Sequence, residues 1–250
     1  MEHIYGINPV GEALEARRVA RLVHVRGAGP RVDALIARAR ELRIPIDTVD
    51  RRALESLTRG GVHQGVAAEV RAVPAYTIEE LVRGADGAPL LVVLDAVEDP
   101  QNVGAIFRAV DGAGGHGVVR QARHAARLGG AAAKASAGAV HHVPSATVVN
   151  IARALEELKG LGVWTVGLDA GATERYDEVD YTLPTALVVG AEGAGLRRFV
   201  RQTCDRVVRI PMAGSVASLN VAVSAGVVLF EAARQRRDAG GRPAELGQDR

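Results

Sequence analysis

The chain has 250 residues, 48% hydrophobic and 24% charged, with a formal net charge of +2, which is material for one large core or two small ones. Aromatics make up only 3%, which excludes a protein that holds nucleic-acid strands chiefly by stacking bases on rings. The one cysteine, Cys204, excludes an internal disulfide framework and a thiolate-built metal site.

The opening stretch MEHIYGINPVGEALEARR carries charges where an export signal needs an apolar run. No later run is long enough to cross a bilayer, so a cytoplasmic location without a membrane partner is expected. A helix is predicted over 9–17 and a strand over 22–26. Val32, Leu35, Ile36, Ala39 and Leu42 keep helical spacing and predict a helix over 32–42. A strand over 44–49, a short helix over 51–58, a glycine turn at Gly60–Gly61 and a strand over 66–70 complete a small α/β domain, residues 1–72. Residues 1–75 hold 12 Arg against 9 Asp and Glu, a balance that suits a polyanion.

Residues 73–89 read as a linker, punctuated by Pro74, Gly84, Gly87 and Pro89, with only 78–82 helical. Beyond it the continuous apolar run 90–94 marks a strand buried on both faces. Helices are predicted over 103–110, 131–140 and 151–159, and strands over 117–119, 163–168, 186–189 and 207–210. A long helix follows over 219–236. Such alternation predicts a mostly parallel sheet covered on both sides, residues 90–237. Residues 238–250 read as a flexible tail. Two clusters are basic: His116, Arg120, Arg123, His124 and Arg127, and then Arg197, Arg198, Arg201, Arg206 and Arg209. Each suits a polyanion or an ordinary solvated surface.

Three segments follow predicted central strands, where open α/β sheets bind ligands. In DAVEDPQNVGAIFR, residues 95–108, a turn with Pro100 leads into a helix, whose free N–H groups can face an anion. Asn102 and Arg108 lie six residues apart, so both reach one cleft only if Asn102 sits at the cap or in the loop. Asp95, Glu98 and Asp99 raise a metal site as an alternative, but acidic turn residues and caps explain them better. In VVGAEGAGL, residues 188–196, glycines surround Glu192. Their order, G-x-x-G-x-G, is not that of a dinucleotide fingerprint. In IPMAGSVASLN, residues 210–220, Ser218 is the expected N-cap of the long helix, with Asn220 in its first turn. Leu219, Val223, Val227 and Phe230 share one face of that helix and are expected in the core. The chain has no G-x-S-x-G elbow, which argues against a serine hydrolase.

In this order and spacing the three segments resemble the motifs of the SpoU–TrmH RNA 2′-O-ribose methyltransferases of the SPOUT superfamily. KASAGAVHHVP, residues 134–144, resembles that family's segment between the first two motifs. HIYGINPVGEAL and GGVHQGVAAEV resemble the RNA-binding extension of RlmB-type members. The stretch 119–129, VRQARHAARLG, departs from relatives that carry a proline and a Ser/Thr segment there. The resemblance implies an α/β fold with a deep trefoil knot, S-adenosyl-L-methionine as cofactor, no metal, and a homodimer with both chains contributing to each site. It implies Asn102, Arg108, Glu192, Ser218 and Asn220 as the catalytic positions. It places Gly190, Glu192, Gly195, Ile210, Met212, Ser218 and Leu219 on the cofactor. The reaction implied is methyl transfer to a ribose 2′-hydroxyl of RNA, with a guanosine of 23S ribosomal RNA as the expected target. Arg108 reads as an orienting cation, because a guanidinium stays protonated; Glu192 is a candidate proton acceptor. A tRNA methyltransferase, a resistance rRNA methyltransferase and a non-catalytic RNA-binding assembly protein stay open as alternatives.

Overall fold

The computed structural model describes residues 2–58, 60–70, 76–123, 126, 128 and 130–240. Contacts divide the chain into two units, Met1–Pro74 and Ala75–Arg250.

The first unit runs β1 (Glu2–Tyr5), α1 (Ile7–Glu15), β2 (Val19–Val25), α2 (Pro30–Glu41), β3 (Ile46–Val49), α3 (Arg51–Leu57) and β4 (Val66–Val70). Its sheet has the order β1-β4-β2-β3, antiparallel except for β2 and β3. Alternation along the strands divides the core between two faces. Leu22 and Ala68 pack under α1 and α2 with Val10, Leu14 and Ile36, while Val23 and Ala67 meet Leu54 of α3.

The second unit runs α4 (Ile78–Arg83), β5 (Leu90–Asp95), α5 (Pro100–Gly112), β6 (Gly117–Gln121), α6 (Gly130–Ala135), β7 (Ser145–Val148), α7 (Ile151–Gly160), β8 (Trp164–Leu168), β9 (Glu174–Arg175), β10 (Thr185–Gly190), α8 (Arg198–Thr203), β11 (Arg206–Arg209) and α9 (Val221–Asp238). The sheet order is β7-β6-β5-β10-β8-β11-β9, and every ladder among the described residues is parallel. β5 shows why its run is continuously apolar. Leu90, Val92 and Leu94 join the core with Phe107 of α5 and Leu229 of α9, while Leu91 and Val93 join Leu155 of α7 and Val200 of α8. α4 lies within the stretch expected as a linker; its Ile78 and Leu81 are buried in the second of these cores. Residues 73–75 of that stretch, His124 and Arg127 of the basic cluster and 241–250 of the expected tail lie outside the described residues.

Elements with a counterpart in the sequence reading are displaced at their ends by no more than three residues, apart from the helix expected over 131–140. The sequence reading does not contain β1, β7 and β9, short strands whose pairing comes from distant chain, nor α8, a helix of six residues. The helix over 131–140 is broken: α6 stops at Ala135, and Ala137 and Gly138 take φ of 51° and 93°, a left-handed region that ends an α-helix. A 3₁₀ turn, Ala139–His141, follows. The face expected to pack on α9 is also corrected. Val221, Ala225, Val228, Leu229 and Ala232 are buried, whereas Val223 and Phe230 are 52% and 54% exposed. The helix carries apolar residues on two sides, and packing against α5 and β10 selects the first. Finally, Arg197, Arg201 and Arg206 of the second basic cluster are paired with Asp95, Asp169 and Glu174, so much of that cluster is neutralised within the unit.

Candidate active site

β5, β10, β8 and β11 run parallel, so the loops that leave them emerge at one edge, on the side of β5 where the chain order of the sheet reverses. A cleft of about 280 Å³ opens there. Its walls are Leu168 at the end of β8 with Asp169 and Ala170 after it, the loop after β10, Ile210 and Met212 after β11, and Ser218, Leu219, Val221 and Ser224 at the start of α9. All seven residues that the resemblance placed on a cofactor lie in this wall: Gly190, Glu192, Gly195, Ile210, Met212, Ser218 and Leu219. Leu168, Asp169, Ala170, Val221 and Ser224 were missed, although Asp169 directly follows a strand predicted to end at 168, where the carboxyl-end rule points.

The loop after β10 is tightly folded. The Gly195 N–H donates to the Ala191 carbonyl at 2.8 Å, and a Cβ on Gly190 would collide with the Gly195 carbonyl. Only glycine allows this approach of backbone to backbone. The tight loop turns Glu192 toward two amides from the other motifs. Asn102 Nδ2 donates to Glu192 Oε2 at 3.0 Å, and Asn220 Nδ2 donates to Asn102 Oδ1 at 2.9 Å and to Glu192 Oε1 at 3.4 Å. Residues 90 and 118 positions apart in the chain thus form one network, with Asn102 only 8% exposed.

Two sequence expectations change here. Asn220, not Ser218, caps α9: its Oδ1 accepts from the N–H groups of Ala222 and Val223 at 2.9 and 3.3 Å. Asn220 therefore serves the cap with its oxygen and the network with its nitrogen, while Ser218 is exposed in the cleft wall. Asn102 is neither cap nor loop. Asp99 caps α5 through the Gln101 N–H, and Asn102 is the third helical residue. Arg108 then stands about 120° round the helix and ~9 Å along it. It is exposed and joins none of these hydrogen bonds, so within one chain it is not brought to Asn102, Glu192 and Asn220. Among the described residues no group of three or more His, Cys, Asp and Glu could hold a metal ion. Burial pushes the Cys204 thiol up to about 12, which leaves no thiolate nucleophile near neutral pH. No described helix is long and apolar enough to cross a membrane.

Residues 89–230 match the model of the SpoU rRNA Methylase family, and residues 3–76 match that for RNA 2′-O ribose methyltransferase substrate binding. The chain is 43% identical over 243 residues to the 23S rRNA (guanosine-2′-O-)-methyltransferase RlmB of Pseudomonas syringae pv. tomato, covering 94% of this chain and 96% of that one. It is 40% identical over 247 residues to the putative TrmH family tRNA/rRNA methyltransferase YacO of Bacillus subtilis, covering 96% and 98%. Among solved structures, the SpoU methyltransferase AviRb of Streptomyces viridochromogenes in complex with AdoMet aligns with a TM-score of 0.67 and 28% identity over 94% of this chain and 90% of that one. Fold, cleft and motif order agree with these likenesses: the chain belongs to the SpoU rRNA methylase family.

Proposed function

We propose that the chain transfers the methyl group of S-adenosylmethionine to a ribose 2′-oxygen of RNA, and that its target is a guanosine of 23S ribosomal RNA. The observation that carries the reading is the meeting of Asn102, Glu192 and Asn220 beside a cleft walled by the glycine loop. The cleft residues fit the cofactor. Leu168, Ile210, Met212 and Leu219 offer apolar contact for a purine, the backbone of the glycine loop allows close approach, and the Glu192 carboxylate suits a positively charged sulfonium. When bound, the group supplies an activated methyl carbon. The chain's task is orientation, which in favourable cases supplies on the order of 7–11 kcal/mol of a barrier.

Glu192 is held in one direction by two amides and is the residue assigned to accept the hydroxyl proton. Arg108 is assigned as an orienting cation for the ribose phosphate and the developing alkoxide. Since it faces away from Asn102 in its own chain, we assign it to the site of a second protomer. α5, which bears it, packs on α9, and α9 exposes Val223 and Phe230; covering that face with a second copy draws α5 into the same interface. Residues 1–72 are assigned to RNA recognition, the cytoplasm as the place of action, and the trefoil knot implied by the resemblance to the chain that builds the cleft. These assignments rest on the family likeness together with the exposed face and the arginine balance of the first unit.

The test is transfer of labelled methyl groups to 23S rRNA and tRNA transcripts, with the modified ribose mapped. Labelling of one 23S guanosine is expected. Labelling of tRNA alone overturns the target, and cofactor binding without transfer to any RNA points to a non-catalytic assembly protein.

A further inference from the structure

Asp95 belongs to the first motif, yet it takes no part in the Asn102–Glu192–Asn220 network. It is the last residue of β5, it is fully buried, and burying a carboxylate is costly unless it is paired and hydrogen-bonded. Its partner comes from 102 positions away. The Arg197 N–H donates to Asp95 Oδ2 at 2.9 Å and Arg197 Nε donates to Asp95 Oδ1 at 2.7 Å. Arg197 Nη2 also reaches Gln121 Oε1 at 2.9 Å, at the end of β6.

The place of this pair in the chain is informative. Gly190, the last residue of β10, is the ladder partner of Asp95. The loop that walls the cleft leaves from Gly190 and ends at Leu196; the next residue is Arg197. One residue therefore holds both ends of the loop: its backbone at the departure and its carboxylate at the return. Glu192 projects from the middle of that loop.

We propose that Asp95 is a positioning residue that fixes the cofactor loop through Arg197, with Gln121 bracing the guanidinium. The proposal rests on the assignment of the cleft to S-adenosylmethionine. Loss of a salt bridge that served stability alone would lower the melting temperature and weaken RNA and cofactor binding alike. A clamp on the loop acts selectively on the cofactor.

The experiment measures binding of S-adenosylmethionine and of RNA by calorimetry, and amide hydrogen exchange over 191–197, in full-length wild type, Asp95→Asn, Arg197→Lys and Gln121→Ala. Asp95→Asn is expected to weaken cofactor binding by roughly 10- to 100-fold, the range seen when a residue that orients a metal ligand is lost. RNA affinity stays near wild type, and the Gly195 and Arg197 amides lose protection while those of β5 keep it. Arg197→Lys retains the charge without the planar fork and gives an intermediate loss. Gln121→Ala gives a smaller change in the same direction. If Asp95→Asn does not fold, the other two variants decide. Unchanged cofactor affinity and exchange in folded variants overturn the clamp, as does an equal loss of RNA and cofactor affinity. Wild type that binds no S-adenosylmethionine overturns the reading of the cleft itself.

Discussion

The assignment of Arg108 to a partner's site leads to a complementation experiment. Asn102 and Arg108 share α5, but only Asn102 joins Glu192 and Asn220. The two side chains leave the helix about 120° apart and ~9 Å along it, more than a change of rotamer spans when Asn102 is held in a network. Arg108→Ala alone is expected to cost on the order of 100–1,000-fold in turnover, the loss typical of one transition-state donor. Glu192→Ala is expected to be inactive as well. Co-expression of the two variants at equal levels gives half mixed dimers on random pairing. In each mixed dimer one site combines an intact cleft with an intact arginine. About a quarter of wild-type activity should therefore return in the unfractionated mixture, and about half in the purified mixed dimer. The assay is single-turnover methylation of RNA by the tagged and purified mixed dimer, with each homodimer as control. If Arg108 acts in its own chain, neither site of a mixed dimer is complete and no activity returns. That result, or a near-normal rate for Arg108→Ala, would refute the assignment.

Asn220→Asp keeps the oxygen that caps α9 and removes the amide that donates to Asn102 and Glu192. Melting temperature should stay close to wild type while methyl transfer falls by at least tenfold, about 1.4 kcal/mol; equal stability and equal activity would detach Asn220 from the site. Gly190→Ala places a Cβ against the Gly195 carbonyl, and overpacking of this kind costs roughly 1–3 kcal/mol. Calorimetry should show loss of S-adenosylmethionine binding, and retained affinity would show that the loop has room to yield. Burial, aided by Arg236, holds the His116 ring below its ordinary value of 6.5, and its Nδ1 accepts the Leu90 N–H at 3.0 Å. The unfolded chain thus takes up a proton at higher pH than the folded one, so stability is full above about 6.5 and falls as pH drops toward the lower folded value. Thermal melts from pH 7.5 to 5 should show this fall in wild type and a smaller one in His116→Gln; identical slopes would remove His116 as a cause.

What the sequence determined by itself is local. Unbroken apolarity in 90–94 marked a doubly covered strand, because each side of a parallel sheet meets helices and alternate residues point to alternate sides. The glycines around Glu192, directly after a strand, marked a loop of close backbone approach, and at Gly190 that approach admits no side chain. The cleft wall was legible for the same reason: its residues lie within a few positions of strand ends, and strand ends can be read from pattern.

Tertiary structure decided whatever depends on which of several equivalent directions a side chain takes. α9 carries apolar residues on two sides, and only contact with α5 and β10 chose Val221, Ala225, Val228 and Leu229 for the core over Val223 and Phe230. Ser218 and Asn220 are both competent caps; the choice fell to Asn220, whose amide nitrogen also meets Asn102 and Glu192. Arg197 read as one charge in a basic surface, yet it turns onto Asp95, because a fully buried carboxylate requires a partner and the return of the loop delivers this one. Periodicity fixes spacing along an element, but a pair 102 residues apart is made only when the sheet sets β5 beside β10.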